Sequence, residues 1–372
     1  EDLAGREVHV RPSSAYADSL AEVEGVRVVP VPEHLDTAEI LSSVAAGERP
    51  LTVADSHIFE AVSAYEPKLR ALFALSEGRE ISWAVRKDAP DLRAAIDRFR
   101  TERALVGAVE PICTGDLDQI RERGVLRVLT RNNPVTYFLH RGRAFGFEHE
   151  LVEMMAEALD VRLQMVVPPS REALVPWLLE GKGDLIAASM TITPDRQQKV
   201  AFSTPYLYVD EVVVGPAGAA PAESLDALSG EEIHVRRSSS GWETLGWLEE
   251  ARSLDVERVA APEARETELL LADVAKGRRP LTIADTHILQ VERAYGLDLT
   301  AGVALPTRDG VTLPKPPPRA DEDRGSKALA FALRPANERL KAWVDDFVQK
   351  RYRGRKYNIF RQRYFENRRR IR

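Results

Sequence analysis

The chain repeats part of itself, and this repeat limits its possible folds more than any other feature. Three short stretches recur in the same order, with offsets that grow from 225 to 230 and then 248 residues. The matched pairs are 6–14 with 231–239, 47–58 with 277–288, and 83–86 with 331–334. Ordered matches with small drifts predict two homologous modules, the second of which carries insertions such as the Pro-rich stretch near 305–326.

The first copy is shorter than the second. Residues 116–230 precede the second copy and have no counterpart before the first. We therefore expect the first copy to be the later part of a module whose front half lies upstream in a longer exported protein, which fits a start without a signal-peptide pattern. One and a half modules in 372 residues also agree with a prior of roughly 150 residues per domain.

Composition excludes several classes of protein. The single Cys113 cannot form an intramolecular disulfide, and no apolar run reaches the ~18 residues that a membrane-spanning helix needs. The motifs GxSxG, HExxH and CxxC are absent, so the sequence predicts neither a catalytic site nor a metal site. We expect no cofactor.

Short apolar strands alternate with amphipathic helices along the second copy. We predict strands at 125–130, 161–167, 184–188, 233–236 and 281–284, and helices at 147–159 and 171–179. This alternation indicates an α/β fold with parallel sheets covered on both faces.

The C-terminal tail differs in charge from the rest of the chain. Residues 351–372 contain ten basic residues and one acid, a net charge of +9, so the other 350 residues carry −15 against −6 for the whole. An acidic body with a basic, aromatic-rich tail is compatible with binding to nucleic acid or an anionic surface. The alternative, which we favour, is a linker or a strap lying on the acidic body.

The stretch 124–206 carries the motifs GVLRVLT (124–130), GFEHEL (146–151) and GDLIAASMTITPDRQQKVAFSTPY (183–206). It resembles the periplasmic solute-binding proteins of family 3, the polar amino-acid binders known as Venus-flytrap proteins. The resemblance implies a periplasmic-binding-protein-like type II fold, a bilobed flytrap with parallel-rich sheets, plus one extra second-lobe half-module. The implied units are an incomplete first module (1–112), lobe 1 (113–214), lobe 2 (215–326), a return to lobe 1 (327–350) and a basic linker (351–372).

Three further stretches, 116–138, 177–188 and 353–365, resemble the regulatory region of MltF-type membrane-bound lytic transglycosylases. That resemblance implies a non-catalytic, periplasmic region that binds an amino acid, stem peptide or muropeptide. Binding would close a hinge whose crossings lie near 211–215 and 327–333. A lysozyme-like domain downstream and membrane association through parts outside this chain are implied with it. The alternatives are the ectodomain of a tandem-flytrap membrane sensor and an amino-acid transport receptor.

The same resemblance assigns ligand contacts to lobe 1. Arg196 would hold the ligand carboxylate, Thr191 would add donors, and Ser189 would face the ligand ammonium group. Tyr137 would stack on the ligand side chain. Taken alone, Arg196 is equally a solvated residue at a helix start, and Tyr137 a core or surface aromatic.

Lobe 2 would supply the opposing contacts. Asp285, at the end of a strand, would pair with the ammonium group, and Ser238, Ser239 and Ser240 would close over the carboxylate. Simple helix capping is the alternative for all four residues.

Two more features bear on partners. Arg236 and Arg237 either favour an acidic ligand or pair with Glu231 and Glu232. The return segment Ile81–Arg86 would lack its lobe 1, so we expect disorder near 80–110 or self-association through the incomplete module. We expect no nucleic-acid partner.

Overall fold

A computed structural model of the protein describes residues 3–63, 65–66, 68–76, 86, 91–93, 112–140, 143–318 and 325–366. The strands are β1 (Glu7–Val10), β2 (Arg27–Pro30), β3 (Val125–Leu129), β4 (Phe138–His140), β5 (Arg143–Phe145), β6 (Arg162–Val166), β7 (Leu185–Ile186), β8 (Ala201–Phe202), β9 (Leu207–Val209), β10 (Glu211–Pro216), β11 (Glu232–Arg236), β12 (Glu257–Ala261), β13 (Leu281–Asp285), β14 (Leu299–Ala304), β15 (Lys327–Leu329) and β16 (Ala332–Leu333).

The α-helices are α1 (Ala15–Ala21), α2 (Thr37–Ala45), α3 (Ser56–Ser63), α4 (Leu117–Arg123), α5 (Phe147–Leu159), α6 (Leu174–Leu179), α7 (Pro194–Gln197), α8 (Ser240–Arg252), α9 (Thr267–Ala275), α10 (Thr286–Ala294), α11 (Glu338–Arg351) and α12 (Arg355–Arg361). Short 3-10 turns cover Arg171–Ala173 and Asp226–Leu228, and a π-helical turn covers Gln362–Glu366. All the strands and helices predicted for the second copy are present, with ends shifted by a few residues.

Two five-stranded sheets organise the second copy. Lobe 1 is built on the sheet β6-β3-β7-β16-β8, and lobe 2 on the sheet β12-β11-β13-β10-β14. In each sheet the first three strands are parallel, while the fourth is antiparallel to both of its neighbours. The expectation of parallel sheets is therefore wrong in this respect. The reversed strands, β10 and β16, each enter their sheet directly after the chain has crossed from the other lobe.

The crossings form a small sheet of their own. Strand β9 pairs antiparallel with β15, joining Leu207 to Leu329 and Val209 to Lys327. The second crossing lies at the expected place. The first comes a few residues earlier than expected, because Glu211 already pairs with Asp285 inside the sheet of lobe 2.

A buried charge cluster anchors the centre of lobe 1. Arg127 is the one charged residue in the otherwise apolar strand β3, and both it and Asp184 are almost fully buried. Asp184 accepts hydrogen bonds from the amide of Arg127 at 2.8 Å and from its guanidinium at 2.9 Å. Arg123, at the end of α4, donates to the same carboxylate at 2.6 Å. The pairing fixes α4 and β3 to the start of β7, since an unpaired buried charge is costly.

The first copy repeats the order of elements seen in lobe 2, and it also repeats individual hydrogen bonds. Four bonds recur in both copies. The hydroxyls of Ser14 and Ser239 donate to the carbonyls of Arg11 and Arg236, and those of Ser13 and Ser238 donate to Glu33 and Glu263. The hydroxyls of Thr52 and Thr282 donate to the carbonyls of His9 and His234, and the guanidinium groups of Arg11 and Arg236 donate to Thr37 and Thr267. The sequence repeat is therefore also a repeat of local geometry.

The copies differ beside the third strand. In lobe 2, β13 and β14 both pair with β10, which lies between them. In the first copy the equivalent residues 51–55 and 69–74 border a cavity of about 920 Å³, and no described residue occupies the place of β10. The segment 51–55 bonds to β1 through the amide of His9 and the carbonyl of Leu51, at 2.9 Å. It has no strand partner on its other side among the described residues, which explains why it is not a regular strand.

The described part of the basic tail, 351–366, packs on the body. Tyr357 donates to the carbonyl of Tyr206 at 2.8 Å. The ring of Phe365 lies 4.9 Å from Phe147 in lobe 1 and 5.6 Å from His287 in lobe 2. We call residues 352–366 the strap, since its buried aromatic side chains contact both lobes. Residues 367–372 lie outside the described chain.

Most of the return segment Ile81–Arg86, and most of 80–110, also lies outside the described residues. Within the part of the chain that the structure describes, no helix has the length and apolar character needed to cross a bilayer.

Candidate functional site

A small cavity lies between the two lobes, beside the hinge strands. Its volume is about 50 Å³, room for three to five water molecules. Lobe 1 contributes Arg171, Ser189, Thr191 and Arg196, while lobe 2 contributes Glu211, Arg236, Ser239, Ser240, Gly241, Thr267, Ile283, Ala284, Asp285 and Ile288. In this arrangement of the lobes the cavity is therefore smaller than an amino acid.

Most of the site residues expected from the sequence line this cavity. Arg196, Thr191, Ser189, Asp285, Ser239 and Ser240 are among the lining residues. Ser238 and Tyr137 are not. The carbonyl of Ser238 accepts a hydrogen bond from Arg196, whereas the ring of Tyr137 lies beside His149, at 5.6 Å between centroids.

Arg196 connects the two lobes. The hydroxyl of Thr193, the N-cap of α7, accepts from the amide of Arg196 and so fixes the start of this helix. The guanidinium donates to the carbonyl of Thr191 at 3.0 Å and, across the cleft, to the carbonyl of Ser238 at 2.8 Å. It also lies 3.6 Å from Glu243, and its side chain is 11% exposed. Arg196 is thus a buried cleft residue rather than a solvated one, and this burial lowers its pKa.

Ser189 adopts a backbone conformation that is unusual for a residue with a side chain. Its φ is +49°, in the left-handed region, which costs energy unless neighbouring groups hold it. Glu148 does so, because one of its carboxylate oxygens accepts from the Ser189 amide at 2.8 Å and from its hydroxyl at 2.7 Å. Tyr206 donates to the same oxygen at 2.8 Å. Glu148 was not predicted from the sequence, although an acidic residue on the buried face of a predicted helix could have indicated a functional or structural role.

Asp285 ends β13 at the edge of the cavity. It is the N-cap residue of α10, yet its side chain accepts no capping hydrogen bond. Burial and the nearby charge of Glu211 together raise its pKa to about 7, against the opposing charges of Arg171, Lys327 and Arg196. The capping alternative therefore does not account for this carboxylate.

The three serines have separate roles. The hydroxyl of Ser239 accepts from the amide of Trp242, which caps α8, and donates to the carbonyl of Arg236. Ser238 donates to Glu263 at 2.5 Å. Ser240 donates to Glu211 at 2.5 Å, and its oxygen lies 3.2 Å from the hydroxyl of Thr191 across the cleft. Ser240 is thus the serine that joins the lobes through its side chain.

Three further charged residues line the cavity, and of these the sequence pointed only to Arg236, as a residue that either favours an acidic ligand or pairs with Glu231 and Glu232. Arg171 comes from the 3-10 turn of lobe 1, Glu211 from the start of β10, and Arg236 from the end of β11. Arg236 bonds to Thr267 and to the carbonyl of Arg265, and not to Glu231 or Glu232. Its neighbour Arg237 points elsewhere and lies over the ring of Trp242, 4.8 Å from the ring centroid.

The corresponding place in the first copy carries a larger side chain. Tyr16 stands where lobe 2 has Gly241, and its hydroxyl accepts from the amide of Asp55 at 3.2 Å. A Cβ at Gly241 would come within 2.9 Å of Ile283, so lobe 2 needs the smaller residue there. The first copy therefore has an aromatic side chain beside Asp55, where lobe 2 has a glycine beside Asp285.

Metal binding finds no support in the described chain. No group of three or more His, Cys, Asp or Glu residues there is placed to hold a metal ion. His287 lies outside the cavity lining, and burial lowers its pKa to about 3, so it is neutral.

Comparison with known proteins identifies the family. The profile of the bacterial extracellular solute-binding proteins, family 3, matches residues 126–367. The chain belongs to this family. The matched range includes both lobes, the cavity between them and the strap.

Similar proteins include membrane-bound lytic murein transglycosylases F. The protein from Desulfosudis oleivorans is 31% identical over 256 residues, covering 66% of this chain and 50% of that protein. Transglycosylase F 1 from Alkalilimnicola ehrlichii is 34% identical over 203 residues, covering 54% and 40%. The chain thus spans half or less of the length of these curated relatives.

Solved structures show the same fold. A mutant of ArgBP from T. maritima aligns with 68% of this chain and 99% of its own, with a TM-score of 0.53 and 24% identity. An ancestral arginine-binding protein bound to arginine covers 65% of this chain and 99% of its own, with a TM-score of 0.52 and 20% identity. The fold is therefore α/β, of the periplasmic-binding-protein type II, with two mixed five-stranded sheets.

Replacing Asp285 with Asn is expected to stabilise the protein above neutral pH. Because the pKa is about 7 in the fold against an ordinary 3.8, the folded chain keeps a proton that the unfolded chain loses between pH 4 and 7. Stability therefore falls as pH rises through this window, and Asp285→Asn removes that fall. We expect Asp285→Asn and the parent protein to have similar free energies of unfolding at pH 4. At pH 8 the variant should have a free energy of unfolding on the order of 2–4 kcal/mol higher, since one pKa unit corresponds to about 1.36 kcal/mol.

Urea denaturation of both proteins from pH 4 to 8 measures this difference. Asp226→Asn, at an exposed position of lobe 2, is the control and should behave like the parent protein at every pH. A difference between Asp285→Asn and the parent that does not grow with pH would contradict the assignment.

Proposed function

We propose that the chain binds an amino acid, or a peptide with free carboxylate and ammonium groups, by closure of the two lobes. One observation carries this proposal: Arg196 of lobe 1 and Asp285 of lobe 2 line the same cavity from opposite sides. A cation and an anion facing each other across a cleft match the two charged groups of a zwitterion. The binding of arginine and of glutamine by solved proteins of the same fold agrees with this ligand class.

The ligand would replace contacts that now lie within the protein. The guanidinium of Arg196 donates to two neutral carbonyls, and a carboxylate is a stronger, bidentate acceptor. The ammonium group would pair with Asp285, whose carboxylate is not used for capping. Since one group sits on each lobe, the ligand gains both contacts only in the closed form, and that difference in affinity drives closure.

The chain itself has no catalytic role in this proposal; it is the regulatory region of a lytic transglycosylase-like protein in the periplasm. Its relatives are transglycosylases of which it spans half or less. The strap supports coupling between ligand binding and a downstream domain, because Phe365 contacts both lobes near the C-terminal end of the strap. Amino acids, stem peptides and muropeptides are the candidate ligands. Within this proposal, residues 1–112 are an extra, incomplete module in which Tyr16 stands where lobe 2 has Gly241.

An amino-acid transport receptor is the second candidate. The solved structures favour it, because 99% of each aligns with about two thirds of this chain, at 68% and 65%. The two functions share the ligand class and differ in whether the strap responds to binding.

Removing the guanidinium of Arg196 should abolish most of the ligand affinity. Charge-assisted hydrogen bonds to a carboxylate contribute about 1.5–3 kcal/mol, so Arg196→Ala should weaken binding about 10- to 150-fold. Isothermal titration calorimetry with amino acids and a stem peptide measures the loss. The control is Arg162→Ala, an exposed arginine at the start of β6, which should bind like the parent protein.

Two outcomes would contradict the proposal. One is that the parent protein binds none of these ligands. The other is that Arg196→Ala binds them as tightly as Arg162→Ala does.

The strap should influence affinity without touching the cavity. Phe365 packs against both lobes in the arrangement that brings the cleft residues together, so Phe365→Ala should favour separated lobes. Apparent affinity falls in proportion to the population of the binding form, so we expect a several-fold larger dissociation constant. Ile359→Ala, on the exposed face of α12, is the matched control. Unchanged affinity in Phe365→Ala would favour the transport receptor.

A further inference from the structure

Arg236 carries a buried charge that makes no direct ion pair in the described part of the chain, and only the more distant Glu263, Glu266 and Glu268 offset it. The residue is only 3% exposed. Its guanidinium donates to two neutral acceptors, the carbonyl of Arg265 at 2.6 Å and the hydroxyl of Thr267 at 2.9 Å. No carboxylate of the described chain forms an ion pair with it, and its Nε makes no hydrogen bond. Such a charge is costly to bury, so its position at the cavity wall calls for a functional explanation.

Arg171 presents a second cation from the opposite lobe. It donates through Nη1 to the carbonyl of Ala188 at 2.9 Å, and its Nε lies 3.8 Å from Glu266, too far for a hydrogen bond. Glu266 is already bonded to Arg131 at 2.7 Å, so its charge is shared between two cations. The Nε of Arg171 is buried and makes no hydrogen bond.

Arg171 repels both of the other arginines that line the cavity. The charge of Arg171 lowers the pKa values of both Arg196 and Arg236, in addition to the effect of burial. Two carboxylates, Glu211 and Asp285, line the same cavity, and Glu211 is engaged by Lys327 at 3.5 Å. Three arginines and two carboxylates thus line the cavity, whereas a neutral zwitterion needs only one cation and one anion. Outside the lining, Glu243 offsets the charge of Arg196, and Glu263, Glu266 and Glu268 offset that of Arg236.

We infer that Arg171 and Arg236 form a second carboxylate subsite, and that the preferred ligand is an α-amino dicarboxylate. The inference rests on the proposed function and deepens it. In this arrangement Arg196 and Asp285 hold the α-carboxylate and the ammonium group, and the second carboxylate lies between Arg171 and Arg236.

Each of these two arginines belongs to a different lobe, so the second carboxylate also bridges the cleft. Their unbonded Nε groups supply donors, and the hydroxyl of Thr267 is placed to donate as well, since it now only accepts from Arg236. A neutral amide would offer the two buried Nε donors a weaker acceptor than a carboxylate. The site therefore selects for charge as well as for shape.

The test compares L-glutamate with L-glutamine by isothermal titration calorimetry on the full chain. The two ligands have nearly the same shape and differ in one negative charge. We expect glutamate to bind at least tenfold more tightly, and Arg236→Gln to bring the ratio of the two affinities close to one while glutamine binding persists. L-Aspartate and L-asparagine provide a second pair of the same kind.

A matched control lies next to Arg236 in the sequence. Arg237→Gln removes an exposed guanidinium that stacks on Trp242 outside the cavity, and it should keep the glutamate preference. If Arg236→Gln does not fold, as judged by its thermal melting curve, Arg171→Gln takes its place with the same expected ratio. A merely structural role for either arginine would lower both affinities together and leave the ratio unchanged.

The outcomes separate this inference from the proposed function. Equal binding of glutamate and glutamine, or a ratio unchanged in both variants, overturns the dicarboxylate subsite and leaves amino-acid binding intact. A protein that binds neither of these ligands nor any other amino acid or stem peptide overturns both.

Discussion

The carboxylate of Glu211 holds together the hinge and the floor of the cleft. It stands at the start of β10, directly after the first crossing, and its side chain is almost fully buried. Lys327, on the returning strand β15, lies 3.5 Å away. Ser240 donates to Glu211 at 2.5 Å, and Thr244 donates to it at 3.1 Å. A single buried anion thus fixes both crossing strands to the helix that borders the cavity, because losing it would leave Lys327 unpaired in the interior.

The charged groups that suit the cleft for binding a ligand also destabilise the folded protein on its own. Asp285 is held partly protonated by burial and by Glu211, and Arg236 lacks an ion-pair partner among the described residues. A ligand with the opposite charges relieves both costs at once. This is the usual relation between stability and function at a preorganised site, where groups poised for a ligand destabilise the protein on its own.

Local sequence patterns were sufficient to predict the strands and helices of the second copy. Strands and helices of the second copy are at the expected places, and Arg196 and Asp285 reach one cavity although 89 residues separate them. The reversed strands β10 and β16 were missed, because strand direction depends on a crossing between lobes and not on local periodicity. The alternating strands and helices therefore predicted parallel sheets.

Side-chain direction could not be read from the sequence either. Arg236 and Arg237 are neighbours with the same chemistry, yet only Arg236 lines the cavity, while Arg237 stacks on Trp242. Arg171 carried no signal, since an arginine at a helix start is ordinarily solvated. In the first copy, only the structure shows that the hydroxyl of Tyr16 accepts a hydrogen bond from the amide of Asp55.

The central claim is that opposite lobes recognise two different groups of one ligand. The most direct measurement titrates the protein with L-glutamate, with glutarate, which lacks the ammonium group, and with 4-aminobutyrate, which lacks the α-carboxylate. The account predicts that each analogue binds at least tenfold more weakly than glutamate, because each loses the partner of one lobe. Binding of either analogue with the affinity of glutamate would contradict it.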